Sequence, residues 1–168
     1  MSASAPPTVS IVIPALNAAS RLIRLARLFA NQKPTPAREV IVVDSGSVDG
    51  TAAEAERLGF RVVPVFPFSH GGARNLGARE ARGDVVVFLT QDAEPADEGW
   101  LRELTAPFEE TRVVAVYGRQ IPRSDASPLE RLFLARRFPE GERQVRRYAP
   151  GSPIGYEEAF FSNVNAAV

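Results

Sequence analysis

EVIVVDSGSVDGT, residues 39–51, opens on four consecutive β-branched residues, Val40 to Val43, and runs straight into an aspartate and a loop of small residues. A strand that is apolar at every position, rather than at alternate ones, suits a parallel sheet with helices on both faces. Asp44 then stands where a buried strand emerges at its carboxyl end. Ser45, Gly46 and Ser47 form a tight loop, and Asp49 and Gly50 lead into Thr51. Thr51 and Glu54 have the T-x-x-E spacing of a capping box, which predicts a helix from Thr51 to near Gly59.

The same alternation extends in both directions. Upstream, Val9–Pro14 is a second apolar run; downstream lie Arg61–Val65, Asp84–Leu89 and Val113–Tyr117. Between them, Ser20 is placed to cap a helix through Ala30 whose Leu22, Leu25, Leu28 and Phe29 make one apolar stripe. A third helix is expected from Gly72 to Ala81, before Gly83. Strand–helix alternation of this kind predicts an α/β fold, a doubly wound, mostly parallel sheet flanked by helices, with ligands bound at the carboxyl ends of the strands. Residues 1–8 read as a flexible N-terminus and 9–118 as the α/β domain. Residues 119–168 change character, with several prolines, an arginine cluster, one helix at about Pro128 to Arg137 and a short closing strand within 159–168.

The 168 residues suffice for one α/β domain, and 45% apolar content fits a globular core. A formal charge of zero, with arginines spread along the chain, argues against a nucleic-acid partner. The absence of cysteine rules out disulfides and thiolate zinc sites, and the single histidine, His70, cannot build a histidine-rich metal site, so a metal needs oxygen ligands. With no apolar run near the ~20 residues of a spanning helix and no signal-peptide pattern in MSASAPPT, the chain reads as cytoplasmic.

Candidate site residues fall at the ends of the predicted strands. SIVIPALN, residues 10–17, ends its strand at Pro14 and exposes the Asn17 amide in a turn. Asp44 is an acceptor-only group suited to a pyrimidine imino N–H or a ribose hydroxyl, whereas Asp49 reads as a helix-end cap. In SHGGARNLG, residues 69–77, Arg74 and Asn75 stand in the expected first helical turn, where a guanidinium and a helix N-terminus favour an anion or a polar base edge. DVVVFL runs directly into Thr90, Gln91 and Asp92. Asp92 is a plausible oxygen ligand for Mg²⁺ or Mn²⁺ already held by a diphosphate; its alternative is a cap for a helix entering at Trp100.

SIVIPALN, VIVVDSGSVDGT, GGARNLG, FLTQDAEP, GRQIP (residues 118–122) and FFSNVNAAV (residues 160–168) occur in the order seen in family 2 glycosyltransferases of the GT-A fold, and the chain resembles the rhamnosyltransferases of bacterial polysaccharide assembly. The resemblance implies transfer of a sugar from a nucleoside diphosphate donor, dTDP-L-rhamnose ahead of UDP-hexoses, to a polysaccharide or lipid-linked acceptor, with inversion and a divalent metal. By the same resemblance Pro14, Ala15, Asn17, Asp44, Ser45, Arg74 and Gln91 bind the nucleotide, and Asp92 matches the last aspartate of the D-x-D signature. Arg119 and Gln120 lie on the acceptor or pyrophosphate side, and Asn163 and Asn165 lie near the transferred sugar.

Two departures from the family pattern stand out. Thr90 occupies the first D-x-D position, which is read as a subfamily mark. The family's base, an aspartate of an E-D motif, lies beyond the segment that ends at Val168; Glu157 and Glu158 read as solvated charges, so no catalytic base is assigned and the expectation is a truncated transferase that binds nucleotide and turns over poorly. The alternative is a non-catalytic nucleotide-binding domain. A nucleotidyltransferase or a dinucleotide-dependent oxidoreductase would need a glycine-rich loop after the first strand, which PALNAAS lacks. An arginine cluster (Arg131, Arg136, Arg137, Arg143, Arg146, Arg147) would suit peripheral contact with anionic headgroups at the inner membrane face, against the plainer reading of a solvated face. A free sheet edge favours homo-oligomers.

Overall fold

The computed structural model describes residues 8–33, 38–110, 112–141, 144–147, 151 and 161–168. The chain divides into two compact units, one of Met1–Tyr117 with Asn163–Val168 and one of Gly118–Ser162. The first unit holds strands β1 (Val9–Ala15), β2 (Arg38–Asp44), β3 (Arg61–Pro64), β4 (Val85–Leu89), β5 (Val116–Tyr117) and β6 (Asn165–Ala167). Its helices are α1 (Ala19–Ala30), α2 (Thr51–Arg57), α3 (His70–Glu80) and α4 (Trp100–Thr105), the last followed by a 3₁₀ turn at Ala106–Glu109.

The strands form one sheet in the order β3-β2-β1-β4-β6-β5. β1 to β4 are parallel, and β6 is antiparallel to both β4 and β5. The chain steps from β1 outward to β2 and β3, then returns to place β4 on the other side of β1. That reversal is a topological switch point, where the helices on the two sides leave a crevice at the carboxyl ends of β1 and β4.

One face of the sheet carries the main core. Ile11, Ile13, Val42, Val87 and Leu89 pack beneath Leu22, Leu25 and Phe29 of α1 and Trp100 and Leu101 of α4. Phe29 and Trp100 stack with ring centroids 6.1 Å apart. On the opposite face α3 lies against Val12, Ile41 and Val43 through Ala73. The close approach is made at Gly77, where a Cβ would stand 2.2 Å from Val12 Cγ1. The expectation of strands buried on both faces therefore holds for β1 and β2 but fails for β3 and β4, where Val62, Val63, Val86 and Phe88 are half-buried. The covering helix on that face reaches across the central strands and leaves the flanking ones partly open.

Three helix starts differ from their sequence-based expectations. α1 begins at Ala19, so Ser20 lies inside it and caps nothing. The Thr51–Glu54 capping box does not form: Thr51 is the first helical residue, its N–H donates to Asp49 Oδ1 at 3.0 Å, and Glu54 pairs with Arg57 instead. α3 begins at His70 rather than Gly72, since Ser69 Oγ accepts from the Gly72 amide at 3.0 Å and draws both glycines into the helix. β5 is shorter than the expected Val113–Tyr117 because its partner β6 offers only Ala166 and Ala167 to pair with, and the Val113 amide is used in a turn to Glu110.

At the amino edge of the sheet a polar ladder fixes the strand starts. Ser10 Oγ and the Arg82 amide both donate to Glu39 Oε1 at 2.7 Å, and Arg61 reaches Glu39 and Glu80. Burial raises the Glu39 carboxyl, but the hydrogen bonds from Ser10 and Arg82 and the charge of Arg61 outweigh it, leaving Glu39 below its ordinary value.

The second unit contains α5 (Pro128–Arg137), whose Ser127 cap accepts from the Glu130 amide at 3.2 Å. Leu129, Leu132 and Phe133 on it are exposed. Of the residues singled out from sequence, Arg143, Glu157, Glu158 and Phe160 lie outside the described residues, as do residues 1–7 of the expected flexible N-terminus and 159–160 of the expected closing strand.

Candidate functional site

Between β1 and α1 the chain makes one short turn, residues 16–18, with Asn17 in the left-handed region at φ 49°. Four consecutive amides around it each donate to a side chain from a neighbouring loop. Leu16 N–H donates to Gln91 Oε1 at 2.8 Å and Asn17 N–H to Ser47 Oγ at 2.9 Å. Ala18 N–H donates to Thr51 Oγ1 at 2.7 Å and Ala19 N–H to Asp49 Oδ2 at 3.1 Å. The start of α1 is thus capped from the β2–α2 side, with a carboxylate already at its positive end. The four amides from Leu16 to Ala19 are thus already used, which sets this turn apart from the phosphate-binding loop of a dinucleotide fold.

The β2 end is built around Asp44, a buried carboxylate with 8% exposure. Its Oδ2 accepts from the Gly46 and Ser47 amides at 3.2 and 3.1 Å, and its Oδ1 accepts from Ser47 Oγ. These bonds use three of about four acceptor positions on an ionised carboxylate, so one direction stays open to a ligand N–H or O–H. Ser45 closes onto β1, its N–H and Oγ donating to Ala15 O at 3.0 and 3.1 Å. Asn17 Oδ1 in return accepts from the Val48 amide at 3.0 Å. Pro14 pairs in register with Val43 and Ala15 with Asp44, so Pro14, Ala15, Asn17, Asp44 and Ser45 occupy one patch of the sheet's carboxyl edge.

Arg74 approaches the same edge from α3. Because that helix starts at His70, Arg74 lies beyond its first turn and bends back, Nη1 donating to His70 O at 3.1 Å while Nη2 reaches Asn163 O at 3.3 Å. Its Nε is buried without a hydrogen-bond partner, and burial lowers the guanidinium from its ordinary value. Thr90 donates its amide to Val164 O at 3.1 Å, and its buried Oγ1 is likewise unpartnered. A buried polar group left open costs about 1–3 kcal/mol, and both of these atoms lie on residues that bond the 163–164 backbone. Asn165 accepts from Trp100 Nε1 at 2.9 Å through Oδ1, which makes its amide a brace for the core as well as an edge residue.

Asp92 follows β4 and is exposed. It does not cap α4, whose N-cap is Gly99 with no side-chain bond. Among the described residues no group of three or more His, Cys, Asp or Glu side chains could hold a metal ion. A protein-only cage is excluded there, but a single carboxylate after a buried strand fits Mg²⁺ or Mn²⁺ brought by a diphosphate, since such ions take one or two carboxylates alongside phosphate oxygens. Gln91, expected to bind nucleotide, instead holds the Leu16 peptide on both sides, Nε2 donating to Leu16 O at 3.2 Å.

Arg119 and Gln120 belong to the second unit. Arg119 Nε donates to Phe138 O at 3.1 Å and Nη2 pairs with Glu140 at 2.8 Å; Gln120 Nε2 donates to Ser162 Oγ at 2.7 Å. Sequence reasoning missed Ser47, Thr51 and Trp100 as builders of this edge; the SGS and DGT triplets signal turns, yet their partners lie 30 or more residues away. A separate cleft of about 340 Å³ opens between the end of α1 and residues 95–98. There the buried Gln32 amide bonds Asp97 O at 2.9 Å and the Leu101 amide at 2.9 Å, so it is a joint between α1 and α4 rather than part of the carboxyl edge.

Comparison with known proteins converges on one group. The family described as glycosyl transferase family 2 matches residues 10–165. The O-antigen chain rhamnosyltransferase RfbN of Salmonella typhimurium is 35% identical over 164 residues, 95% of this chain and 51% of the relative. WbaN of Salmonella anatum, also an O-antigen chain rhamnosyltransferase, is 34% identical over 96% of this chain and 52% of its own length. The chain thus spans about half the length of these curated relatives. Among solved structures, the mannosyltransferase PcManGT of Pyrobaculum calidifontis in complex with GDP-Man and Mn²⁺ superposes with a TM-score of 0.62 at 25% identity, covering 79% of this chain and 39% of that one.

Proposed function

The chain belongs to glycosyl transferase family 2, and on that premise we propose that it binds a nucleoside diphosphate sugar along the carboxyl edge of its GT-A sheet and serves an inverting transfer to a glycan or lipid-linked acceptor. The donor is dTDP-L-rhamnose, with UDP-hexoses as the competing class. One observation carries the reading: Asp44, Asn17 and Gln91, from three separate loops, are joined by a continuous run of hydrogen bonds through Ser47 and Leu16, and Asp92 is the next residue along. Separate loops tied into a single rim suit one extended ligand better than three turn residues with local duties.

Within this reading, Asp44 offers its remaining acceptor position to the imino N–H of the base or to a ribose hydroxyl. Arg74 faces the phosphates with a guanidinium that burial makes stronger as an electrostatic partner, because water competes less for it. Asp92 would hold the divalent ion, Mg²⁺ or Mn²⁺, which supplies charge neutralisation to the departing diphosphate. Preorganised groups of this kind stabilise the leaving group with little reorganisation at the moment of transfer. No described residue is assigned as the base that deprotonates the acceptor.

Calorimetry with dTDP and with UDP, each with and without Mn²⁺, tests the donor site. Binding of dTDP tighter than UDP and strengthened by Mn²⁺ is the expected result; a folded sample that takes up neither refutes the proposal. Peripheral attachment at the inner membrane face belongs to the same reading through the exposed Leu129, Leu132 and Phe133 of α5. Flotation with anionic vesicles measures it, and failure to co-float removes that part alone.

A further inference from the structure

The ladder between β1 and β4 ends early. Their registered pairs run from Val9↔Val85 to Val12↔Phe88, although β1 continues to Ala15 and β4 to Leu89. The registered pairs stop one residue before β4 ends, at the carboxyl edge where the switch point has its crevice. Its mouth is closed again at Leu16, not by backbone but by Gln91, whose amide accepts from Leu16 N–H at 2.8 Å and donates to Leu16 O at 3.2 Å. A carboxamide is the uncharged side chain that sets a donor beside an acceptor, so it can take the place of a neighbouring strand for one residue. The loop that Gln91 starts is held further along by Arg24, whose Nε pairs with Glu94 at 2.7 Å, and by Gln32 at Asp97. On its other side the Leu16–Asn17 dipeptide is bound to Ser47 and Val48.

Resting on the donor-site reading above, we infer that Gln91 is a positioning residue: it fixes the spacing between the β1 tip, which lines the nucleotide, and Asp92, which holds the metal on the diphosphate. It acts through the Leu16 peptide and makes no contact with the ligand. The consequence is thermodynamic. A nucleotide seated against Asn17 and Asp44 would meet an Asp92 carboxylate whose loop is already tied to the β1 tip, so nucleotide and metal would strengthen one another's binding. Without the strut each still binds, and the reciprocal gain is lost.

Gln91→Leu removes both bonds to Leu16, and Gln91→Glu keeps the acceptor while setting a carboxylate against the Leu16 carbonyl. The wild type and both variants are titrated with dTDP or UDP, with and without Mn²⁺, and exchange of the Leu16 amide is followed by NMR. The expected result for Gln91→Leu is Leu16 exchange faster by about tenfold or more and an Mn²⁺-dependent gain in nucleotide affinity reduced about tenfold, with Mn²⁺-free affinity changed by less than about threefold. Gln91→Glu falls between the two and carries the test should the leucine variant not fold. A Mn²⁺-free affinity that drops as far as the Mn²⁺-dependent one means Gln91 touches the nucleotide, and the inference is overturned; an unchanged Mn²⁺ gain overturns it as well. If the wild type binds neither nucleotide, the donor site itself fails and this inference with it. A wild type with an Mn²⁺ gain that both variants share sinks the inference alone.

Discussion

On the proposed reading Asp44 does two jobs with one carboxylate, holding its own loop and binding the nucleotide, and the two separate on substitution. Asp44→Asn keeps an oxygen for the Gly46 and Ser47 amides but loses the charge and turns an amino group towards Ser47 Oγ or the ligand. A hydrogen bond to a charged group is worth about 1.5–3 kcal/mol, so nucleotide affinity is expected to fall by one to two orders of magnitude in calorimetry, with the thermal midpoint lowered by only a few degrees. Arg74→Lys removes the fork that spans His70 O and Asn163 O, and an ammonium cannot make both bonds from one place. About tenfold weaker nucleotide binding is the expected outcome, with circular dichroism unchanged. The positions of Asp44 and Asp92 at the carboxyl edge were legible in the sequence because Asp44 closes one buried apolar run and Asp92 stands three residues after another. Gln91 was legible as an edge residue, but its bond to Leu16 was not, because that partner is 75 positions away and nothing local points to it.

At the scale of elements, the strands and the order of the helices followed from periodicity, whereas the helix starts did not. A capping motif such as Thr51–Glu54 competes with tertiary bonds, and here a buried amide in the turn before α1 wins: Thr51 is fully buried and its hydroxyl accepts from Ala18 N–H. Thr51→Val keeps the volume and removes the acceptor, leaving that amide unsatisfied at an expected cost of about 1–3 kcal/mol in chemical denaturation. Gly77 shows the reverse case, a residue that looks like a helix weakness until its neighbour is seen. Gly77→Ala would gain up to about 1 kcal/mol of helix propensity, but its methyl carbon would lie 2.2 Å from Val12 Cγ1 and 3.1 Å from Val43 Cγ2. Overpacking of this kind costs about 1–3 kcal/mol, so the net effect is destabilisation, read as a lower midpoint in denaturant at unchanged slope.

At the scale of the sheet, its two edges have different electrostatic duties. On the proposed reading the carboxyl edge keeps acceptors for a ligand, and the amino edge uses Glu39 to tie β1, β2, β3 and the approach to β4 together. Glu39 is depressed below its ordinary 4.5 in the folded chain. Its contribution is therefore complete above the unfolded value and lost as pH falls through the folded one. Thermal midpoints are expected to decline below about pH 4.5 in the wild type, and Glu39→Gln, less stable at neutral pH, should decline less steeply over that window.

The placing of β6 has a consequence for the order in which the molecule assembles. Val116 has its pairing partner at Ala167, 51 positions later, and until that residue leaves the ribosome β5 has no neighbour at all. The parallel block β3-β2-β1-β4 is complete in a nascent chain that has released Leu89. Closing a loop of that length costs about 3.5 kcal/mol in its length-dependent part, recovered only when three short residues zip between β4 and β5. β6 is thus a keystone, and the carboxyl-edge residues beside it, Asn163 to Asn165, come later in the chain than Arg74, Thr90 and Trp100, the partners they hold.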